Sequence, residues 1–352
     1  MANFSRSILN AFNIILSFYR RLIIRNSERP KKLLLIETMG IGDVVCHTPF
    51  LKTIKESNKY DIYGCFPRNM IEMQKQFCTL DGYIEFDSFF NTIRKIRRSD
   101  IDCVVLNARA IRYASLALLS GKRISGYLND YSFKFNYLND YRIEFIGYKQ
   151  KSHLIQYSKL HLTQRGNPFL EFLELKTISL PAIEDFEPNN SNYVVIHAGA
   201  DYPGRQWPIE NFRVVVKMLL DNYKESIQKV YLLGGKQDIA INEKISQDIK
   251  NCINLAGKLS LLETADLIKG ARYFIGNDSG PLHMASLLDI PVLGFYGPNL
   301  PQISGPYSSK RKVFFHKFDC SPCNQKVCYN NFKCIVSISI EEVTKYLEQL
   351  ES

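Results

Sequence analysis

Short apolar segments alternate with amphipathic stretches twice along the chain, and this alternation restricts the fold more than any other feature of the sequence. The first-half strand candidates are 33–36, 62–66 and 103–106. A helical stretch at 43–56 follows the first of them, and the pattern restarts after 180–192, a segment rich in proline and asparagine that we interpret as an interdomain linker. Strands separated by helices form βαβ units with a parallel sheet. The sequence therefore predicts two α/β halves, and a length of 352 residues suits two domains.

The remaining elements follow the same pattern. Later strand candidates are 193–196, 230–233, 273–275 and 292–295, and later helix candidates are 210–223, 260–269, 280–288 and 340–350. In the later part of the first half, 153–164 has helical spacing, and 127–145 has no clear period and is predicted to be irregular. The predicted segments are an N-terminal helix (1–31), a first domain (32–180), a second domain (181–335) and a C-terminal helix (336–352).

The N-terminal segment is basic and amphipathic. Its apolar run, 8–24, is too short and too polar for a membrane span, and no small-residue cleavage site follows it. Such a helix either lies in the headgroup region of an anionic leaflet or packs on the protein's own surface. The formal net charge of +10 also predicts an anionic partner, which nucleic acid, an anionic membrane or a phosphorylated substrate would satisfy.

The cysteines fall into two groups. Nine cysteines, an odd number without a secretory signal, indicate a reducing cytoplasm. Five are scattered among apolar residues and are interpreted as small buried side chains, namely Cys46, Cys65, Cys78, Cys103 and Cys252. The other four have C-x2-C-x4-C-x5-C spacing and are Cys320, Cys323, Cys328 and Cys334. Four thiolates can hold structural Zn²⁺ or iron, and reduced thiols or a disulfide pair are the alternatives.

The turn after the first strand candidate contains Gly40 and Gly42 and brings Asp43 to the start of a helix. Two glycines at such a turn let the backbone approach a ligand, on the side of the sheet where open α/β folds bind ligands. The spacing does not match the G-x-G-x-x-G dinucleotide fingerprint. Asp43 is therefore interpreted either as a functional carboxylate or as a helix N-cap.

A second turn, 276–283, also connects a strand candidate to a helix candidate. Ser279 is a suitable N-cap, and the amides that follow it from Gly280 onward can bind a diphosphate with help from the helix dipole. Asp278 either holds the loop in shape or contacts the ligand. His283 either donates to phosphate or packs. The alternative for the whole turn is a capped, buried helix.

A third turn follows the strand candidate at 193–196. The small residues Gly199 and Ala200 expose backbone amides, and Arg205 can neutralise a phosphate through its planar guanidinium. Trp207 is the only tryptophan, and its place before Pro208 and a helix favours a packing anchor over a platform for base stacking.

Taken together, the three turns resemble glycosyltransferase family 9, whose known members include the heptosyltransferases of lipopolysaccharide core assembly. The matching stretches are LLLIETMGIGDVVCHTPFLKTIK, VVIHAGADYPGRQWPIENF and LAGKLSLLETADLIKGARYFIGNDSGPLHMASLLDIPVLGFYGP. The resemblance implies the GT-B fold, with two Rossmann-like domains facing a central cleft. It places the acceptor in the N-terminal domain and the sugar nucleotide in the C-terminal domain.

The resemblance also implies roles for individual residues. Asp43 matches the family's catalytic base, and Arg205 stands where relatives usually carry a diphosphate-binding lysine. The residues that match the donor-binding signature are Asp278, Ser279, Gly280, Leu282 and His283. The glycine-rich turns, with Gly40, Gly42, Gly199 and Ala200, complete the expected substrate site. After Gly234 and Gly235, where relatives carry an acidic ribose contact, stand Lys236 and Gln237.

The implied activity is an inverting transfer of heptose from ADP-heptose to a lipopolysaccharide inner-core acceptor, without a cofactor for catalysis. The implied partners are a sugar nucleotide and a lipid-linked oligosaccharide at the inner face of the cytoplasmic membrane of a Gram-negative bacterium. One alternative keeps the fold but uses another nucleotide sugar or a protein acceptor. Another is a non-enzymatic anion- or nucleic-acid-binding protein, against which the sequence offers no recognised nucleic-acid module.

Overall fold

The computed structural model describes residues 31–36, 40–106, 116–117, 119–126, 161–323 and 328–352. The chain divides into two compact units, Met1–Ser179 and Leu180–Ser352, each with its own parallel sheet. The N-terminal helix expected over 1–31 lies almost wholly outside the described residues, as do the irregular stretch 127–145 and most of the helix expected over 153–164.

Unit 1 contains a five-stranded parallel sheet in the order β3-β2-β1-β4-β5. Its strands are β1 (Lys32–Ile36), β2 (Asp61–Phe66), β3 (Gly82–Glu85), β4 (Cys103–Leu106) and β5 (Arg123–Gly126). Its helices are α1 (Ile41–Cys46), α2 (Thr48–Glu56), α3 (Arg68–Phe77), α4 (Phe89–Arg98) and α5 (Asn167–Phe172). The central strand β1 is apolar because both of its faces are covered, and Leu33 and Ile36 have no exposed surface.

The single helix predicted over 43–56 is wrong in one respect, since the chain forms α1 and α2 with a break at His47. Pro49 lies in the first turn of α2. Proline has no backbone N–H, and its ring clashes with the carbonyl group four residues earlier, so a continuous helix cannot pass through this position. The break shortens the helix that carries Asp43 to six residues.

Unit 2 contains a six-stranded parallel sheet in the order β11-β10-β9-β6-β7-β8. Its strands are β6 (Tyr193–His197), β7 (Lys229–Leu232), β8 (Cys252–Asn254), β9 (Phe274–Asn277), β10 (Val292–Tyr296) and β11 (Arg311–Phe315). Its helices are α6 (Ile209–Asn222), α7 (Ile239–Ser246), α8 (Leu261–Lys269), α9 (Gly280–Leu287), α10 (Pro301–Ser304), α11 (Lys333–Val336) and α12 (Ile340–Glu351). The described residues also include short 3-10 turns at Leu162–Gln164, Pro203–Arg205 and Lys236–Asp238.

Trp207 lies at the centre of the core of unit 2, as predicted for a packing anchor. Its side chain is fully buried and stacks on Phe295 with 4.2 Å between ring centroids. Phe212 meets the indole edge-on at 5.1 Å, and the indole N–H donates to the carbonyl oxygen of Ile338 at 2.8 Å. A buried indole keeps its polar atom satisfied in this way. The loop after β6 is therefore fixed to the core at its far end.

The segment predicted as a linker is hydrogen-bonded to unit 2. The amide of Glu184 donates to the carbonyl oxygen of Ser309, and the amide of Asn189 donates to that of Arg272. Near the C-terminal end of the unit, α12 buries Val343 and Leu347 in the core of unit 2.

Within the described part of the chain, no helix is both long enough and apolar enough to cross a membrane.

Candidate active site

The carboxyl ends of parallel strands meet at one edge of a sheet, and in open α/β sheets ligands bind there at the point where the strand order reverses. In unit 2 the order reverses between the neighbouring strands β6 and β9. β6 ends at His197 and β9 ends at Asn277. The second and third turns noted in the sequence therefore lie side by side at this switch point.

Asn277 holds the two turns together. Its side-chain amide donates to the carbonyl oxygen of Ala198 at 2.8 Å, and its side-chain oxygen accepts from the amide of Trp207 at 3.1 Å. The side chain is completely buried. Because both ends of the amide are used, the 198–207 loop is fixed against the end of β9. No local pattern in the sequence predicts this role of Asn277.

Ser279 is the N-cap residue of α9, but its side chain does not cap the helix, which corrects the prediction. Its hydroxyl shares a 3.0 Å hydrogen bond with Nδ1 of His197 across the switch point. The hydroxyl is therefore turned away from the amide groups in the first turn of α9. Gly280, at that turn, is partly exposed, so the turn keeps the anion-binding character of a helix N-terminus.

Asp278 lies near the guanidinium of Arg205, the imidazole of His283 and the side-chain amide of Asn299. Its carboxylate is 3.8 Å from Nε of Arg205 and 3.6 Å from Nε2 of His283. It also accepts a hydrogen bond from the side chain of Asn299. Only 3% of the Asp278 side chain is exposed, compared with 23% for Arg205. Of the two roles considered for Asp278, these contacts favour holding the loop.

Two of the expected substrate-binding residues have side chains that face inward. Leu282 is fully buried, and its methyl groups pack beside Gly294 of β10. A ligand can therefore meet only its backbone. His283 is also buried, with its ring near Asp278. Arg205 keeps partial exposure, and its guanidinium lies 5.5 Å from the ring centre of Tyr202.

The first acidic residue after Gly235 is Asp238, one position beyond Gln237. It was not among the residues predicted for the site. Its carboxylate accepts from the amide of Gly235 at 2.8 Å and lies 3.7 Å from Nε2 of His197. Burial opposes ionisation, but the interaction with His197 and the Gly235 amide hold the pKa of Asp238 below its usual 3.8. Asp238, His197 and Ser279 thus form one chain of polar contacts, in which Asp238 and His197 are buried and Ser279 is partly exposed.

Gly199 faces this chain of contacts. A Cβ atom at that position would lie 2.6 Å from Cγ of Asp238, which is closer than real Cβ atoms come. Ala200, the next residue, is partly exposed. The need for a glycine at 199 therefore comes from close packing against Asp238 at this point of the loop.

In unit 1, the first turn of α1 carries the Asp43 carboxylate. Gly40 is the N-cap residue, and its carbonyl oxygen accepts from the amide of Asp43 at 3.1 Å. The side chain of Asp43 bends back toward Gly40, where a Cβ atom would lie 3.8 Å from a carboxylate oxygen. Gly42 lies inside α1 and is partly buried. α1 follows β1, and the strand order of this sheet reverses between β1 and β4.

A sequence model described as glycosyltransferase family 9 (heptosyltransferase) matches residues 89–333. The chain belongs to this family. Lipooligosaccharide heptosyltransferase 2 of Haemophilus influenzae is 33% identical over 121 residues, which cover 33% of this chain and 34% of that protein. These matches thus span about a third of the length of such curated relatives. The family match begins after Asp43, whose role rests on the first turn alone.

Solved structures of family 9 proteins share the fold. The glycosyl transferase family 9 structure from Veillonella parvula superposes with a TM-score of 0.68 at 20% identity, covering 91% of this chain and 97% of that one. E. coli heptosyltransferase WaaC with ADP-2-deoxy-2-fluoro heptose gives a TM-score of 0.65 at 16% identity, covering 90% and 99%. At these identities the likeness is one of fold, and it confirms the predicted GT-B class.

A structural metal ion at the cysteine cluster of this family 9 chain stays a prediction. Among the described residues, no three His, Cys, Asp or Glu side chains are arranged to hold a metal ion. Cys334 is buried in α11 beside Gly297, whereas Cys320 and Cys323 are exposed. Burial, together with the three neighbouring thiols, raises the pKa of Cys334. The buried thiol of Cys334 and the exposed thiols of Cys320 and Cys323 therefore differ in their access to solvent.

Proposed function

We propose that the protein is an inverting heptosyltransferase that moves heptose from ADP-heptose to an inner-core acceptor of lipopolysaccharide. The observation that carries the proposal is the switch point of unit 2. There the first turn of α9 lies beside Arg205, which is held by the buried carboxylate of Asp278. Helix N-termini and guanidinium groups both favour phosphate oxygens. The arrangement suits a nucleoside diphosphate whose sugar is transferred.

The relatives support the choice of donor. The WaaC structure contains an ADP-heptose analogue, and the Haemophilus influenzae relative is a heptosyltransferase by name. The basic net charge and the amphipathic N-terminal segment fit a lipid-linked, anionic acceptor at the inner face of the cytoplasmic membrane. A different nucleotide sugar or a protein acceptor is the alternative. Product analysis with ADP-heptose and a truncated lipopolysaccharide core, beside UDP- and GDP-sugars, separates these possibilities.

In the proposed reaction, Asp43 accepts the proton of an acceptor hydroxyl as that oxygen forms a bond to the anomeric carbon. The bond from the anomeric carbon to the diphosphate breaks on the opposite face, so the configuration inverts and ADP leaves. Arg205 and the amides of the α9 turn stabilise the charge that develops on the departing diphosphate. With these roles for Asp43, Arg205 and the α9 turn, the proposed transfer requires no cofactor. Zinc or iron at the cysteines would fix the tail only, and elemental analysis of the purified protein tests for it.

The decisive variant is Asp43→Asn, which keeps the size of the side chain but removes the base. We expect ADP binding to stay unchanged while turnover falls by about 100-fold or more, the usual effect of losing a general base. Asp61→Asn, which alters an exposed aspartate of the same unit, is the matched control and should leave both quantities unchanged. Turnover of Asp43→Asn at the wild-type rate would remove Asp43 from this role.

A further inference from the structure

The outward side of α4 combines one strongly exposed aromatic ring with three arginines. Phe90 is 79% exposed, and the following positions 94, 97 and 98 are exposed arginines. Residues spaced by four, seven and eight lie on one side of a helix. We call Phe90, Arg94, Arg97 and Arg98 the α4 face.

The opposite side of the same helix fixes the orientation of this face. Thr92, Ile93 and Ile96 are buried, and both isoleucines belong to the core of unit 1. Phe89 packs partly against that core and meets Phe90 edge-on, with 5.4 Å between ring centroids. The Phe90 ring therefore contacts Phe89 on one side and projects into solvent on the other.

The charges of α4 are not balanced within the helix, which contains four cations and no acidic residue. Lys95 is paired with Asp87 at 2.9 Å, and Arg97 donates to the carbonyl oxygen of Leu119 at 2.9 Å. No described carboxylate lies within ion-pair distance of Arg94 or Arg98. The α4 face is consequently a positively charged surface with an apolar tip.

Ordinary helix energetics explain only part of this pattern. Cations in the last turn interact favourably with the helix dipole, which accounts for Arg97 and Arg98. Arg94 lies in the middle of the helix, and Phe90 lies in its first turn, where the dipole offers them nothing. Single exposed apolar residues are common on protein surfaces, so neither Phe90 nor the charge is informative alone. Their combination on one side of a helix is the informative feature.

We infer that the α4 face docks onto an anionic lipid surface, an inference that rests on the lipid-linked acceptor of the proposed function. Phe90 enters the boundary between headgroups and acyl chains, and the three arginines meet lipid phosphates. Guanidinium groups suit this task because their planar donors match phosphate oxygens. Charge complementarity and the apolar tip together select a membrane over a free anion, which would leave Phe90 in water.

The face is small, because Phe90 and Arg98 are separated by eight residues, or about 12 Å along the helix axis. One ring and three charges give weak, reversible attachment, and stable anchoring takes more than one such signal. The N-terminal amphipathic segment is the natural second contribution. The effect of the α4 face must therefore be measured with and without residues 1–28.

The test measures co-sedimentation of the protein with phosphatidylcholine vesicles that contain or lack about 30% phosphatidylglycerol. It is carried out with the full chain and with the chain that lacks residues 1–28. Phe90→Ser should lower partitioning onto the anionic vesicles by about tenfold in both backgrounds. Arg94→Gln with Arg98→Gln should lower it by about 25-fold, since each charge contributes roughly fivefold. The matched control is Val214→Ser with Lys217→Gln, on an exposed part of α6, and should change nothing.

Two results would overturn the inference. One is equal vesicle binding by Phe90→Ser and the wild type in both backgrounds. The other is binding to a single-stranded oligonucleotide that displaces the vesicles and does not depend on Phe90, because that would mark a nucleic-acid surface. Turnover on a soluble, truncated acceptor should be unchanged in Phe90→Ser. Loss of docking with normal turnover supports the inference, and absence of turnover in the wild type would contradict the proposed function instead.

Discussion

We expect Gly199→Ala to lower the free energy of unfolding because the added methyl group clashes with Asp238. The new Cβ atom would lie 2.6 Å from Cγ of Asp238. Asp238 can yield only by giving up its 2.8 Å hydrogen bond from the Gly235 amide and its contact with His197. Overpacking of this kind costs about 1–3 kcal/mol of unfolding free energy. In a unit of 173 residues, 180 to 352, this corresponds to a fall of about 2–12 °C in the melting temperature.

Differential scanning calorimetry of the full chain measures this change, and a double-mutant cycle isolates its cause. In an Asp238→Ala background the obstructing carboxylate is gone, so Gly199→Ala should cost much less than it does in the wild type. Gly204→Ala in the same unit is the control. Its Cβ would lie 3.3 Å from the Phe332 ring, a contact that a small ring movement relieves. An equal cost of Gly199→Ala in both backgrounds would refute the reasoning.

Three further predictions concern the same unit. Trp207→Ala removes a fully buried, stacked indole and should lower the free energy of unfolding by about 3–5 kcal/mol, measured by calorimetry. Asp278→Asn removes the negative charge that lies 3.8 Å from Arg205 and 3.6 Å from His283, and it should weaken ADP binding by about tenfold or more, measured by titration calorimetry. Because the pKa of Asp238 is lowered in the folded state, its contribution to stability is complete above the ordinary pKa of 3.8 and is lost as the pH falls through the lower folded value. Asp238→Asn should therefore flatten the acid limb of a melting temperature–pH profile.

The sequence predicted the central strands well because they are continuous apolar runs buried on both faces. The strands it missed are edge strands such as β3 and β8, which are short and partly exposed and therefore lack that signal. The turns that form the candidate site in unit 2 are predicted from their glycines and from their position between strand and helix. The roles of Asn277 and His197 are not, because their partners lie 79 and 82 residues away in sequence. Such contacts depend on strand order, which local pattern does not determine.

Trp207 is positioned to serve as an intrinsic fluorescence probe for the unfolding of unit 2. It is the sole indole in the sequence, and it is enclosed by the aromatic rings of unit 2 at the far end of the loop that begins after His197. Intrinsic tryptophan emission will therefore follow the unfolding of Leu180–Ser352 without a competing signal from the other unit. The unfolding of unit 2 can thus be followed separately in the intact protein, with no label attached.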